Sequence, residues 1–244
     1  MAGWSGGPFL MFGTAHLATL LSIIVLIFIL IFTFHGANEK KRRMARYTLA
    51  ALLVLSGLSW QLWGVLAGAW SIKEHLPFHL CSTLTYVSAV MLVKKNDLLY
   101  QICFYAGIGG ALQAVLTPAN IADYGFPHFR YFQFFLNHGL VLYAPIHMTA
   151  TENFRPTIRG LWSFVIITNI YMVFVGAVNW AVDANYFYLA RKPSYNTALD
   201  LMGPWPWYIL GMEASGIVLC HLFYLPFAVM KHRQNRLKGR ERDI

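Results

Sequence analysis

The chain has 244 residues, of which 57% are hydrophobic and 12% are charged, and its formal net charge is +9. A soluble domain has about 25% charged residues, so this composition excludes an ordinary soluble globular protein. Because apolar runs of about 20 residues recur along the chain, it instead predicts a polytopic membrane protein whose fold is decided by the bilayer.

Seven apolar segments, read in chain order, predict an all-α fold with seven transmembrane helices in a single transmembrane domain, residues 1–244. The predicted spans are residues 14–34, 47–69, 76–93, 98–116, 132–149, 159–182 and 205–230. The first run lacks a small-residue cleavage site, which favours a retained span over a signal peptide. A basic tail, residues 231–244, follows the last span.

The basic residues are distributed unequally between the two sides of this topology. Fifteen lie in the tail and in the segments around 40–46, 94–95 and 155–159, whereas four lie in the alternate segments. The positive-inside rule therefore predicts an N-terminus outside and a C-terminus in the cytoplasm. We expect a multipass protein of the cell (plasma) membrane, in bacteria the inner membrane. Since its basic residues lie in short loops, we expect contacts with membrane lipids and none with nucleic acid.

Polar residues are concentrated where the third span begins. Pro77 is predicted in the first helical turn, where proline is tolerated because that turn's N–H groups have no intrahelical partner. Cys81 follows about one turn later, and the positive end of a helix dipole favours a thiolate. His75 and His79 would share a helix face if the helix extends back that far.

A common depth connects polar residues of six spans. With a rise of ~1.5 Å per residue, Cys81, His138 and Glu213 lie ~7, ~9 and ~12 Å below the predicted outer ends of spans three, five and seven. The other residues at this level are His16, Gln113 and Asn179. Ionisable groups inside a membrane usually face a cavity or one another, so we expect an enclosed polar pocket that opens toward the outer leaflet.

A cysteine with a histidine is the smallest nucleophile–base pair, and it can take an acyl chain as a thioester and pass it to a hydroxyl. The predicted pocket lies at the depth of glycerophospholipid ester bonds, which a lipid reaches laterally. His79, or N–H groups at the start of span three, would supply an oxyanion site. Glu213 would orient an imidazole, as the third member of a triad does.

Several motifs resemble those of the YwaF-like family of bacterial integral membrane proteins. They are His-Leu-Pro-Phe-His-Leu-Cys-Ser at 75–82, residues 109–114 with Thr117-Pro118, Phe135 to His138, Asn-Tyr-Phe-Tyr-Leu at 185–189, Lys192-Pro193, and Leu-Met-Gly-Pro-Trp-Pro-Trp-Tyr at 201–208. That family is similar to a eukaryotic multipass acyltransferase that remodels ether phospholipids. The resemblance implies acyl transfer, with Cys81 and His138 as the working residues.

The sequence therefore predicts a phospholipid or lysophospholipid acyltransferase with Cys81 as nucleophile and His138 as base. Supporting residues would be His79, Glu213, His75, Gln113, Asn179 and His16, and no metal or cofactor is expected. One alternative is a non-enzymatic membrane protein that binds a lipid or small molecule. Another is a metal or haem site formed by His75, His79 and His138, which would need further ligands.

Overall fold

The computed structural model describes residues 7–118, 121–193 and 197–240, and in these ranges it contains helices and no strands. Seven helices of 15 residues or more carry the fold in the described ranges. They are α1 (Thr14–Phe34), α2 (Glu39–Leu66), α3 (Leu80–Lys94), α4 (Asp97–Leu116), α5 (Phe129–Thr151), α6 (Ile158–Val182) and α7 (Trp207–Arg240). Short 3₁₀ turns at Tyr186–Tyr188 and Ala198–Met202 lie between α6 and α7.

Five of these helices, α1, α2, α4, α6 and α7, are long and apolar enough to cross a membrane. The multipass membrane class is therefore confirmed. Helix α3 is apolar but has only 15 residues. Helix α5 has 23 residues but carries several buried polar side chains, among them Arg130, Asn137 and His138. It can do so because it lies at the centre of the bundle and contacts α1, α2, α3 and α4.

The helices alternate between two ends of the bundle. We call one end of the bundle the upper end and the other the lower end. At the upper end, His16 at the start of α1 hydrogen-bonds the carbonyl of Val115 at the end of α4. There too the hydroxyl of Tyr186, which follows α6, accepts from the N–H of Leu76 before α3. At the lower end, His35 after α1 hydrogen-bonds the carbonyl of Ala150 near the end of α5.

The lower end is held by a cluster of charges around one carboxylate. Glu152, with a side chain only 2% exposed, lies 3.2 Å from Arg46, 2.5 Å from Lys95 and 4.0 Å from Arg42. Glu39 pairs with both arginines at the surface. The α1–α2, α3–α4 and α5–α6 connections, which the sequence assigns to one side by their basic residues, therefore meet at one end.

Helix α3 begins later than predicted. Its first residue is Leu80 and His79 is the N-cap, so Pro77 lies outside the helix, and His75 and His79 do not share a helix face. The reason is that side chains bind the preceding backbone: Tyr171 donates to the carbonyl of Phe78, and Thr83 donates to the carbonyl of Pro77. These hydroxyls replace the helical hydrogen bonds that the segment would otherwise need.

Two further boundaries differ from the prediction by more than five residues. Helix α2 begins at Glu39, because Asn38 caps it by accepting from the N–H of Lys41, so the basic run is helical. Helix α7 continues to Arg240, so the predicted tail is helical as far as that residue, and residues 241–244 lie outside the described ranges.

Candidate functional site

Cys81 is the second residue of α3 and lies against α4. Its side chain is half-buried. The nearest part of α4 is Gly110, where an added Cβ would lie 3.7 Å from the Cys81 sulfur. Glycine at this position leaves open the space beside the sulfur that a side chain would occupy.

A cavity of about 680 Å³ lies along α4 and is lined mainly by α4, α6 and α7. It runs along α4 from Tyr105 to Thr117, and its wall includes Gly110 and Leu80, the residue before Cys81. Most of its other lining residues are apolar; they include Phe164, Met172, Phe187, Leu199, Met202, Met212, Ile217 and Leu219. The structure therefore places Cys81 next to two residues of the cavity wall, Leu80 before it in the chain and Gly110 on α4.

Helix α4 is distorted beside this cavity. Residues Cys103–Ile108 form a π-helical segment, which is followed by Gly109 and Gly110. Insertions of this kind in α-helices are rare and occur frequently at functional sites. The low helix propensity of the glycine-rich stretch 107–110 is the one sequence signal that could have indicated this distortion.

His138 lies one residue beyond a hydrogen-bonded link between α5 and α3. Asn137 Nδ2 donates to the Thr85 hydroxyl (3.1 Å), and that hydroxyl donates to the carbonyl of Cys81 (2.9 Å). The His138 ring contacts the Phe134 ring, with centroids 4.1 Å apart. The structure therefore brings α3 and α5 into contact at Thr85 and Asn137, one turn after Cys81 and one residue before His138.

The hydrogen bond of His138 determines its tautomer. Nδ1 lies 2.8 Å from the carbonyl oxygen of Phe134, and since a carbonyl can only accept, the ring proton is on Nδ1. Nε2 is then the unprotonated nitrogen, the atom that a general base needs. Within the described residues Nε2 makes no hydrogen bond, and none joins His138 to the Cys81 sulfur.

Glu213 does not meet a histidine, so the predicted triad is not formed. Its Oε1 accepts a 2.6 Å hydrogen bond from Asn169 Nδ2, and both side chains line the cavity, as does Gln113. Asn169, on α6, was missed by the sequence analysis because a single asparagine in an apolar helix carries no pattern. Glu213 is thus a carboxylate of the cavity wall.

The Nδ1 atom of His79 binds the loop that follows α6 and does not face the Cys81 thiol. That nitrogen accepts from the N–H of Phe187 at 3.3 Å, and the ring contacts Tyr186 and Tyr188. Phe187, which has a left-handed φ of 58°, lines the cavity. His79 therefore helps to fix the loop after α6 over the cavity.

The three remaining supporting residues have structural partners away from the cavity. His16 bridges α1 and α4, as described above. His75 stacks on Trp60 with ring centroids 4.7 Å apart and accepts from the N–H of Ser71. The side-chain amide of Asn179 donates to the carbonyl of Tyr186 and accepts from the N–H of the same residue. The prediction of a single polar pocket is therefore wrong. The residues assigned to it lie at one level of the bundle but make separate contacts, and the cavity is mainly apolar.

Within the described ranges no group of three or more His, Cys, Asp or Glu side chains is arranged to hold a metal ion. His75, His79 and His138, named for the metal or haem alternative, accordingly do not form such a group.

Comparison with known proteins places this architecture in a family. The family model described as "TMEM164 family", a multipass membrane family, matches residues 11–224. The chain belongs to the TMEM164 family. The match includes every residue that lines the cavity and confirms the resemblance to a multipass membrane family, whereas the YwaF-like name stays a prediction.

A relative of this TMEM164-family chain is an uncharacterized protein of Treponema pallidum (strain Nichols), 25% identical over 243 residues, which cover 95% of each chain. No solved structure matches the chain.

Proposed function

We propose that this chain is a membrane-embedded phospholipid or lysophospholipid acyltransferase in which Cys81 is the nucleophile and His138 the base. The observation that carries the proposal is the position of the Cys81 sulfur next to Gly110, a residue that lines a mainly apolar cavity of about 680 Å³. A thiol at the N-terminal turn of a helix, beside a space that accepts hydrocarbon, is what a thioester route requires.

The size of the cavity suits an acyl chain. Pockets for small ligands have volumes of about 300–1,000 Å³. From Tyr105 to Thr117 the rise along α4 is ~18 Å, close to the depth of one leaflet, since the hydrocarbon core of both leaflets is about 30 Å thick. An acyl chain lying along α4 would have its ester end at the upper end of the bundle, where α3 begins.

The proposed reaction has two steps. His138 Nε2 takes the thiol proton of Cys81, the sulfur attacks the ester carbonyl of a donor phospholipid, and the carbon–oxygen bond breaks. The departing lysophospholipid oxygen takes the proton back from His138, which leaves a thioester. The hydroxyl of a second lysophospholipid then gives its proton to His138 and attacks the thioester, and Cys81 recovers its thiol. In unliganded sites such base–nucleophile contacts are often open, which is consistent with the missing Cys81–His138 hydrogen bond.

We also propose that all seven helices cross the membrane, with the N-terminus outside and the lower end in the cytoplasm. The convergence of the basic connections on Glu152 supports this orientation, because positively charged segments remain on the cytoplasmic side. The polar side chains of α5 are no obstacle, since its neighbours shield them from lipid.

Cysteine labelling tests this orientation. A membrane-impermeant thiol reagent added to intact cells should modify a cysteine replacing Glu74, which is exposed before α3, and should not modify one replacing Arg43, which is exposed in the first turns of α2. Permeabilising the cells should make both positions reactive. Labelling of the Arg43 variant alone in intact cells would reverse the orientation and place the thiol site at the inner leaflet.

Gly110→Leu tests the route between thiol and cavity. The leucine Cβ would contact the Cys81 sulfur at 3.7 Å, and its outer carbons would fill the space beside the sulfur. We therefore expect acyl transfer to fall at least tenfold, an order-of-magnitude figure taken from the cost of misplacing reacting groups. The fold should persist because leucine has the higher helix propensity. Transfer is measured by mass spectrometry of acyl exchange between phospholipid and isotope-labelled lysophospholipid in vesicles.

The matched control is Gly176→Leu on α6, where an added Cβ meets no atom within 4 Å. It should transfer at the wild-type rate. A Gly110→Leu protein as active as this control would mean that the substrate does not reach Cys81 through the cavity.

One observation favours a second function, a non-enzymatic lipid binder: no hydrogen bond activates the thiol in the described structure. A binder would copurify with lipid in the cavity and yet show no acyl exchange, with or without Cys81. The vesicle assay above therefore separates the two functions.

A further inference from the structure

Arg130 is a buried cation for which the described residues provide no carboxylate partner. It is the second residue of α5 and only 8% exposed. Its guanidinium donates to the side-chain oxygen of Gln133 and lies over the Trp60 ring, 4.0 Å from the centroid. In the part of the chain that the structure describes, no carboxylate lies within 4.0 Å of it, in contrast to Arg42 and Arg46 at the lower end.

The surroundings make this charge more costly. Arg130 lies in the first turn of α5, where the helix dipole is positive and favours an anion. Burial lowers the pKa of His128 and of His75, at His75 against the opposing effects of Ser71 and Glu74, and the charge of Arg130 adds to the lowering at both. Removing one partner from a buried ion pair is strongly destabilising because it leaves a buried charge unpaired. The buried guanidinium at this helix N-terminus likewise has no anionic partner among the described residues.

The position of Arg130 indicates which anion this is. Its two partners, Trp60 and Gln133, also line a recess of about 30 Å³ whose wall includes Ser82, the residue after Cys81. Along α5, Arg130 lies eight residues before His138, a rise of ~12 Å toward the upper end. If the acyl ester of a lipid lies near His138, its headgroup would extend toward the upper end of the bundle, where Arg130 lies.

We propose that Arg130 binds the phosphodiester of the phospholipid substrate, with Trp60 and Gln133 holding the guanidinium plane in position. This inference rests on the proposed function, because the acyl ester of the bound lipid is taken to lie at Cys81. Arg130 is thereby a specificity-determining residue: it selects lipids with a phosphate over neutral glycerolipids. An arginine fork suits a phosphate, to which it can make two parallel hydrogen bonds.

Binding measurements on purified full-length protein in neutral detergent test the inference without requiring transfer. The probes are dihexanoyl phosphatidylglycerol, dihexanoylglycerol, which lacks the phosphate, and inorganic phosphate. Arg130→Gln should weaken binding of the phosphate-bearing lipid about ten- to hundredfold, as expected for a lost charged hydrogen bond. It should leave dihexanoylglycerol unchanged. Arg130→Lys should be intermediate, because it keeps the charge and loses the fork.

Gln133→Glu is a second variant, which tests the inference even if Arg130→Gln fails to fold. This isosteric change gives Arg130 a carboxylate within the protein, so it should also weaken binding of the phosphate-bearing lipid at least tenfold, by the same order-of-magnitude reasoning. The control is Arg155→Gln, since Arg155 is exposed at the lower end and donates to backbone carbonyls; it should bind all probes as the wild type does.

The outcomes distinguish this inference from the proposed function. An unchanged preference for the phosphate-bearing lipid in both Arg130→Gln and Gln133→Glu overturns the inference even if acyl transfer proceeds through Cys81. Inorganic phosphate binding as tightly as the lipid would overturn it in favour of a soluble-anion site. Arg130-dependent lipid binding without acyl transfer would support it while the proposed function fails.

Discussion

Cys81→Ser is expected to reduce acyl exchange between phospholipid and lysophospholipid by at least ~10³-fold, the scale of loss when a nucleophile is removed from a catalytic unit. A hydroxyl is a far weaker nucleophile than a thiolate beside an imidazole arranged for a thiol. The substitution is nearly isosteric at a half-buried position, so the thermal unfolding of the purified protein should not change. Exchange is measured in vesicles by mass spectrometry of the lipid products.

Cys103→Ser is the matched control for the same chemical change. Cys103 is buried in the π-helical segment of α4 and accepts from the Ser88 hydroxyl at 3.4 Å, away from the proposed site. This variant should exchange acyl chains at the wild-type rate. Folded Cys81→Ser protein that matches it in rate would remove Cys81 from the mechanism and favour the lipid-binding function.

Glu152→Gln should destabilise the protein by about 3–5 kcal/mol, the cost of breaking a buried ion pair by removing one partner. The carboxylate and Arg46 are 2% and 4% exposed, and their charged atoms lie 3.2 Å apart. Without the carboxylate, Arg46 and Lys95 repel each other at the lower end of the bundle. For a chain of this size the melting temperature in detergent should fall by roughly 10 °C, which differential scanning fluorimetry measures.

Glu39→Gln provides the control for the Glu152 variant. Glu39 contacts the same arginines, but its side chain is 58% exposed, and exposed ion pairs contribute about 0–1 kcal/mol. Its melting temperature should therefore stay close to that of the wild type. Equal losses for the two variants would show that the lower end is not organised around Glu152.

The helices themselves were predictable from sequence because the bilayer requires long apolar segments. The bounds of α1 agree with the prediction, and those of α6 differ by one residue at its start. The start of α3 was not predictable, since it depends on hydroxyls of Tyr171 and Tyr186 that are more than 90 residues distant in the chain. Local propensity carries no information about such contacts.

The candidate site was predictable only in part. Depth arithmetic put Cys81 and His138 at one level, and the Asn137–Thr85 contact brings their helices together. Depth does not determine which way a side chain faces, however. The predicted contact between Glu213 and a histidine is therefore wrong, and Glu213 accepts a hydrogen bond from Asn169 instead. Arg130 is one of the four basic residues assigned to the alternate segments, and its burial against Trp60 was not predictable because it depends on packing between α2 and α5.

The measurement that tests the central claim most directly is the detection of an acyl thioester on Cys81. Purified protein is incubated with a donor phospholipid, quenched at mildly acidic pH, digested and analysed by mass spectrometry. The proposed mechanism predicts that the peptide containing Cys81 carries the donor's acyl mass, that hydroxylamine removes it, and that His138→Ala slows its formation. Acyl exchange that proceeds while the Cys81 peptide remains unmodified, in wild-type protein and at every time sampled, would contradict the mechanism.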